Sequence, residues 1–517
     1  MPTSVLSQRF VEAPRVPRQR CALLPRPGEA GRRGTAKRSP QAMAPLFRGG
    51  ATTPGWMQRR AEPRGGIAGP ETTARSAGHA DESLTQDTRL QRPSRTLQFV
   101  LLAAMIPILT AAGPQEPREI VVGPDRAVTT IAQGLEVARD GDVIRILSGR
   151  YPESLLEVTR SVTIQGEGWP EVGDGGNHTI FAVTADDVVI RGLVLRDVGM
   201  SHVRDNSAIL VEGGRNCVIE DNRLEDTYFG IYLARANGCR VTGNRIRGSA
   251  ERESVAGNGI HLWDVREVTV EGNVVTGHRD GIYLEFAQDA VIRRNESRDN
   301  LRYGLHFMFS DDSVYEDNLF ARNGAGVAVM YSSNVLMTGN VFRDNWGTGA
   351  YGLLIKDVRD SRIEGNTFRG NTTAIFSEGA DRVVFQGNRV IRNGWAVKIL
   401  ASSQENVFTG NDFIENSFDV ITNSRRNYNT FRGNYWSHYD GYDLGGDGIG
   451  DVPYRPVRLF SLIVEGSPAA LVLLRSFFVE LLELAERVLP VLTPETLVDD
   501  EPLMQEVAAG LERGRGG

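Results

Sequence analysis

Three segments near the middle of the chain, Val291-Ile-Arg-Arg-Asn295, Val314-Tyr-Glu-Asp-Asn318 and Leu336-Met-Thr-Gly-Asn340, stand in phase and decide the fold. Each puts an apolar residue three places before a closing asparagine, and the asparagines lie 23 and then 22 residues apart. The same asparagine recurs upstream at Asn222, Asn244 and Asn273, and downstream at Asn366, Asn388, Asn411 and Asn434. Gly166 and Gly192 extend the register towards the N-terminus. A fixed period of this length marks a solenoid. Two residues after the asparagines a second apolar column runs through Leu224, Ile246, Val275, Phe320, Phe342 and Phe368. A third comes later in each coil, through Ile231, Ile260, Ile282, Leu305, Val327 and Leu353. Within each segment the alternation has period two, so these are strands with one face inward. Three short strands per coil predict an all-β chain, a right-handed parallel β-helix of about a dozen coils of roughly 22 residues each. The asparagine column predicts a ladder in a tight turn, each amide bonded to its copies above and below.

A solenoid needs capped ends. Residues 128–139 read as an amphipathic helix over the first coil, with Gly141–Leu147 as the first strand. Cys217 and Cys239 each stand five residues before a ladder asparagine, in a column shared with Val268 and Ala290. Two readings stay open for them: a buried pair of small apolar residues, or a disulfide between adjacent coils in an export compartment.

Charge divides the chain. Residues 1–112 carry a net +10, so residues 113–517 carry −17. An acidic folded part argues against a nucleic-acid partner, which needs a basic footprint, and disfavours an anionic polysaccharide. Residues 1–95 are rich in Arg, Pro, Gly, Ala and Ser with no apolar period. They read as disordered, or as sequence ahead of the true start. Residues 96–112 read as a Sec-type signal peptide: Arg89, Arg92 and Arg95 precede an apolar run from Phe99 to Leu109, and small residues follow. That placement puts the start near Leu84 or Leu90; the rival is a cytoplasmic extension before an uncleaved anchor. The β-helix is expected over 113–456 and a helical tail over 457–517.

Chemistry belongs on the outward side chains that flank the third column. In Gly304-Leu-His-Phe-Met-Phe309, Leu305 and Phe307 point in, so His306 and Met308 point out. One coil on, Met330 takes the register of Met308; two coils before His306, His261 takes the equivalent place. Thioether and imidazole favour Cu(I), so His306, Met308 and Met330 form a candidate open copper site, with His261 as a fourth ligand. The other reading is an apolar docking surface in which methionine supplies adaptability. Asp440, Asp443, Asp447 and Asp451, set among glycines after the last coil, are candidate Ca²⁺ ligands, with a turn-rich closing loop as the alternative. Leu471–Leu489 reads as an amphipathic helix whose charges argue against a membrane span. Leu473, Phe477, Phe478, Leu481 and Leu484 on its apolar face are candidate docking residues. Thr493-Pro-Glu is expected to open a second short helix.

Five segments together carry a resemblance. They are Arg302-Tyr-Gly-Leu-His-Phe-Met-Phe-Ser310, Gly326-Val-Ala-Val-Met-Tyr331, Tyr351-Gly-Leu-Leu-Ile-Lys-Asp357, Asn434-Tyr-Trp through Asp451, and the tail from Leu473 to Val498. The repeat is similar to the carbohydrate-binding and sugar-hydrolase-type β-helix repeat. The His-Phe-Met-Phe strand and the tail more closely resemble the NosD family of nitrous oxide reductase maturation factors. The resemblance spans roughly residues 119–505 and implies a non-enzymatic periplasmic protein held at the inner membrane by an ABC-type permease with its ATPase. It implies that copper, transiently bound, comes from a lipoprotein copper chaperone and goes to nitrous oxide reductase, with a linked role in sulfur supply. It also implies that the tail docks on the permease. The long N-terminal extension departs from the family pattern. The competing class is a polysaccharide lyase, epimerase or carbohydrate-binding module on the same scaffold, for which Asp311-Asp312 is the acidic pair nearest the outward strip.

Overall fold

Strands of two to six residues follow one another from Glu119 to Trp436 and assemble into three parallel sheets of 14, 13 and 12 strands, in the order of the three apolar columns. Neighbouring strands in each sheet come from successive coils. The computed structural model describes residues 117–507 other than 202–203, 425, 475 and 489–496. The N-terminal extension, the signal segment, His202 and the helix start at Thr493 lie outside the described residues.

The three apolar columns are the inward faces of the three sheets. Ile292 pairs in register with Tyr315 and Tyr315 with Met337; Phe320 pairs with Phe342 and Phe342 with Phe368; Leu305 pairs with Val327 and Val327 with Leu353. All nine side chains are buried. The longest sheet has 14 rungs rather than about a dozen, because the N-terminal end adds an unforeseen strand. Glu119–Val122 pairs with Val143–Ile146, so the segment after Gly141 is not the first strand. Helix α1 (Ile131–Val137) is shorter than the expected 128–139. Thr130 and Gln133 form a capping box at its start, and Ala138 is already extended. Ile131 and Gly134 bury its inner face over the first coils.

The asparagine ladder runs unbroken from Asn222 to Asn434. At a typical step, Asn318 donates from its backbone N and its Nδ2 to Asn340 Oδ1 (3.0 and 2.9 Å) and from Nδ2 to the Ile292 carbonyl (2.8 Å). The ladder ends on a carboxylate: Asp499 Oδ2 accepts from the Asn434 backbone N, Asn434 Nδ2 and Trp436 Nε1. A second ladder, five residues further on, runs through Asn300, Asn323, Asn345, Asn371, Asn393 and Asn416. It begins at His278, whose backbone N donates to Asn300 Oδ1 (3.1 Å). Cys217 and Cys239 are free, buried thiols in adjacent coils, with the Cys217 N–H donating to Cys239 Sγ (3.3 Å).

The tail is not one helix from Leu471. Helix α2 (Leu459–Gly466), a 3-10 turn (Pro468–Leu473) and helix α3 (Phe477–Val488) fold back on one another. Ser467-Pro468 interrupts the first helix. The apolar end of the third sheet supplies the reason to bend: Phe418, Phe460, Val464 and Val479 form a separate buried cluster that a straight rod would leave uncovered.

Asn340→Ala deletes one ladder rung and leaves two buried N–H groups of Asn318 without an acceptor. The expected loss is about 3 kcal/mol, read as a lower midpoint in chemical denaturation followed by circular dichroism. Asn334→Gly, which keeps the left-handed φ of 53° at an exposed turn and loses only the bond to Asp312, is expected to cost about 1 kcal/mol or less.

Candidate functional site

The outward face of the third sheet stacks side chains in two columns. One holds Tyr232, His261, Tyr283, His306 and Ala328; the next holds Ala234, Trp263, Glu285, Met308, Met330 and Lys356. Parallel pairing fixes both, since strand neighbours sit about 4.8 Å apart. Met308 and Met330 are therefore adjacent and half-buried. His306 stands two residues before Met308 on the same strand, Tyr303–Met308.

His306 is outward but not open; it is 6% exposed. Arg302 Nη2 lies 3.1 Å from its Nδ1, and Asp280 Oδ2 lies 3.6 Å from the same nitrogen. Arg302 grips both Asp280 oxygens through one guanidinium edge, Nε to Oδ1 and Nη2 to Oδ2 (2.9 and 2.6 Å). Burial alone would raise the fully covered Asp280 carboxyl, but the nearby His306 imidazole and the Arg302 charge outweigh it and hold it at about 2. Burial pushes His306 below the usual imidazole range, against the opposing pull of Asp280. The rings of Tyr283 and Tyr303 close over the imidazole at 5.0 and 4.8 Å. His306 Nε2 is buried and has no hydrogen-bond partner among the described residues.

His261 does not join this group. Its ring is packed between Tyr232 (4.4 Å) and Tyr283 (4.8 Å), and Asn258 Nδ2 meets its Nδ1 at 3.0 Å. Tyr283 separates it from His306 along the column, so the two imidazoles are not brought to one point. Burial drives His261 down to about 3 and His278 down to about 4.

The aspartate loop does not gather its carboxylates either. Asp443 turns back on its own chain, accepting from the N–H groups of Gly446, Asp447 and Gly448; Asp447 accepts from Ile449 and Asp451 from Leu444. This is the closing-loop reading. Among the described residues, no three His, Cys, Asp or Glu side chains form a metal-holding group; thioethers are not in that set. The acidic pair is also occupied in turns: Asp311 accepts from Ser333 N and Oγ (2.7 and 2.9 Å), and Asp312 accepts from Asn334 Nδ2 (2.5 Å). On the tail, Leu473, Phe477, Phe478, Leu481 and Leu484 are all exposed, while Val479 is buried against the solenoid end.

Sequence reading missed Asp280 and Arg302, the ion pair beneath His306. Their signal was there, since Asp280 and Arg302 are 22 residues apart, one coil. It missed the second ladder too, although an asparagine stands five residues after each of Asn295, Asn318, Asn340, Asn366, Asn388 and Asn411.

The chain is a parallel β-helix whose outward face carries a buried imidazole and an in-register methionine pair. A family model described as periplasmic copper-binding protein (NosD) matches residues 249–441. A probable ABC transporter binding protein NosD from Pseudomonas aeruginosa is 31% identical over 426 residues, 73% of this chain and 91% of its own length. A second, from Stutzerimonas stutzeri, is 28% identical over 381 residues, 70% of this chain and 86% of its own. Among solved structures, the catalytic unit of the GH87 α-1,3-glucanase of Streptomyces thermodiastaticus aligns at a TM-score of 0.51 and 16% identity, over 63% of this chain and 71% of that one; this shows the fold alone. The chain belongs to the NosD family.

His261 and His278 make stability depend on pH with a definite sign. Both stay neutral in the fold down to about 3 and about 4, whereas the unfolded chain takes up their protons near 6.5. Stability is thus lost as pH falls from 6.5 towards 4, by up to roughly 1.4 kcal/mol per pH unit for each histidine. His278→Asn restores the ladder residue found in the following coils. It is expected to flatten this slope by about half in denaturation midpoints measured between pH 7 and 4.5; an unchanged slope would remove His278 from the account.

Proposed function

We propose that this protein is a periplasmic, non-enzymatic accessory subunit of an ABC-type complex, taking up Cu(I) and passing it on for assembly of the copper centres of nitrous oxide reductase. The observation that carries the reading is the in-register pair Met308 and Met330, half-buried beside a histidine whose Nε2 has no partner among the described residues. Copper is the cargo. Two thioethers select a soft monovalent ion, and a set with few charged donors holds it weakly enough to release. The arginine at His306 Nδ1 is always a donor, so in this arrangement the imidazole proton sits on Nε2. Moving that proton to Nδ1, towards Asp280, bares the Nε2 lone pair. A carboxylate behind a metal-binding imidazole is the usual way to fix that tautomer.

The family description and the relatives' names support copper, the periplasm and an ABC-transporter partner. The exposed apolar face of α3 suits docking on a permease. The carbohydrate-enzyme alternative needs a free acid/base pair, and Asp311 and Asp312 are engaged in turns.

Anaerobic titration with Cu(I) against a competing chelator tests the site. Met308→Ala/Met330→Ala is expected to weaken affinity by about 100-fold or more, a loss of roughly 3 kcal/mol; unchanged affinity would leave the pair without a metal role. Leu481→Asp/Leu484→Asp is expected to abolish co-purification with the permease while leaving Cu(I) affinity intact. Retained co-purification would move the docking surface elsewhere.

A further inference from the structure

One position in the third sheet keeps a minimal side chain in coil after coil and changes character at the end. Strand register carries it from Gly281 through Gly304, Gly326 and Gly352 to Ala374, Ala396 and finally Asp419. Small residues are needed because the next coil lies against the backbone. A Cβ on Gly304 would come within 2.8 Å of the Gly326 carbonyl oxygen, and one on Gly326 within 2.3 Å of the Gly352 oxygen. Asp419 belongs to Phe418–Ile421, the last strand of that sheet. There the crowding ends, and the residue that uses the room is a carboxylate. The chain after the last coil covers it, with the Val420 N–H donating to the Pro456 carbonyl (3.2 Å).

Asp419 is only 5% exposed. Its Oδ2 accepts from the Tyr454 hydroxyl (2.6 Å), and His438 Nδ1 lies 3.1 Å from the same oxygen. Burial and then the Asp419 carboxylate push the Tyr454 hydroxyl well above its ordinary range, so it remains a donor. Asp419 Oδ1 is buried and has no hydrogen-bond partner among the described residues. Asp419 lines a cavity of about 210 Å³ between the end of the solenoid and the tail. Phe418, Phe460, Val479 and Leu482 give it apolar walls, and the exposed residues Ser417 and Leu474 stand at its rim. The titratable groups in the wall are Asp419, His438, Arg458 and Glu486. Arg458 is engaged with the Tyr454 hydroxyl, and Glu486 accepts from the Leu459 N–H (3.1 Å). With His438 neutral, the wall holds one negative charge in excess.

A buried carboxylate oxygen without a donor is costly. Water meets the need poorly, since each molecule wants two to four polar partners and most of this wall is hydrocarbon. The charge favours a cation. Among the described residues no three His, Cys, Asp or Glu side chains gather here to hold a metal ion. A guanidinium grips two oxygens, whereas one oxygen of Asp419 is already taken; a compact ammonium group suits the single open one. We infer that this cavity binds a primary alkylammonium group, in a free amine or a lysine side chain, with Asp419 Oδ1 accepting from the ammonium and the alkyl chain against the apolar walls. Strand Phe418–Ile421 supplies one side of the cavity and helices α2 and α3 the other, so the occupant clamps the tail to the solenoid. This inference does not depend on the copper role.

The probe is n-butylammonium chloride, titrated calorimetrically into the whole protein, with pentanoate and 1-butanol as anionic and neutral controls. It is expected to bind at least about tenfold more tightly than either control, to raise the thermal midpoint and to slow amide exchange in α2 and α3. Asp419→Asn is expected to weaken binding at least about tenfold. Leu482→Trp fills the cavity from a half-buried position and leaves the Asp419 carboxylate in place. It is expected to abolish binding at an unchanged midpoint, which keeps the test conclusive if Asp419→Asn unseats the tail. Nα-acetyl-lysine methylamide presents the same group on a peptide. Binding equal to that of butylammonium supports a lysine side chain as the occupant, and binding of butylammonium alone supports a free amine. No binding of butylammonium by the wild type, equal affinity for 1-butanol, or unchanged affinity in both variants overturns the inference and leaves the cavity to ordered water.

Discussion

From Asn222 to Asn434 each coil turns a corner by burying an amide, and that amide must find partners inside the protein. The inward asparagine meets this demand by donating from its backbone N–H and its Nδ2 to the Oδ1 of the next asparagine, and from Nδ2 to a carbonyl of the previous coil. A buried polar group without such partners would cost more than the hydrogen bond returns. The ladder therefore fixes the register of successive coils, and all else follows from that register. It explains the ends as well. The last rung cannot be another coil, so the tail returns a carboxylate, Asp499, that accepts what a further asparagine would have accepted.

Once register is fixed, the outward face becomes a stack rather than a mosaic. A residue type that repeats every coil becomes a continuous column, which is how two methionines on separate strands come to lie side by side. The same stacking produces the aromatic enclosure of His261 and the cover over His306. Outward-pointing and solvent-facing are different properties here. Large neighbours in the same column bury the imidazoles, and burial keeps them neutral, the form in which a histidine binds metal.

The parallel β-helix is shared with glycan-cleaving enzymes such as the α-1,3-glucanase, at an identity that carries no function. Function on this scaffold depends on which columns carry which side chains. Here Asp311 and Asp312 are committed to turns and Asp280 to an ion pair, while Met308 and Met330 lie half-buried on the outward face. That division of labour fits binding and handover better than acid–base chemistry.

The periodicity of Asn295, Asn318 and Asn340 and the apolar residues in phase with them were enough to read the class of fold, the three inward faces and the pairing of Met308 with Met330, because strand stacking turns sequence spacing directly into spatial neighbours. The extra N-terminal strand was less legible: Glu119–Val122 lacks a ladder asparagine, and only its pairing with Val143–Ile146 declares it. The bend that splits the tail into α2 and α3 depends on the exposed end of a distant sheet around Phe418, which no local pattern encodes. The burial of His306 by Arg302 and Tyr283 and the separation of His261 from it arise from contacts between coils. Period alone gives the column in which a residue stands; how open that column is depends on the volume and charge of its neighbours, and only the folded chain brings those together.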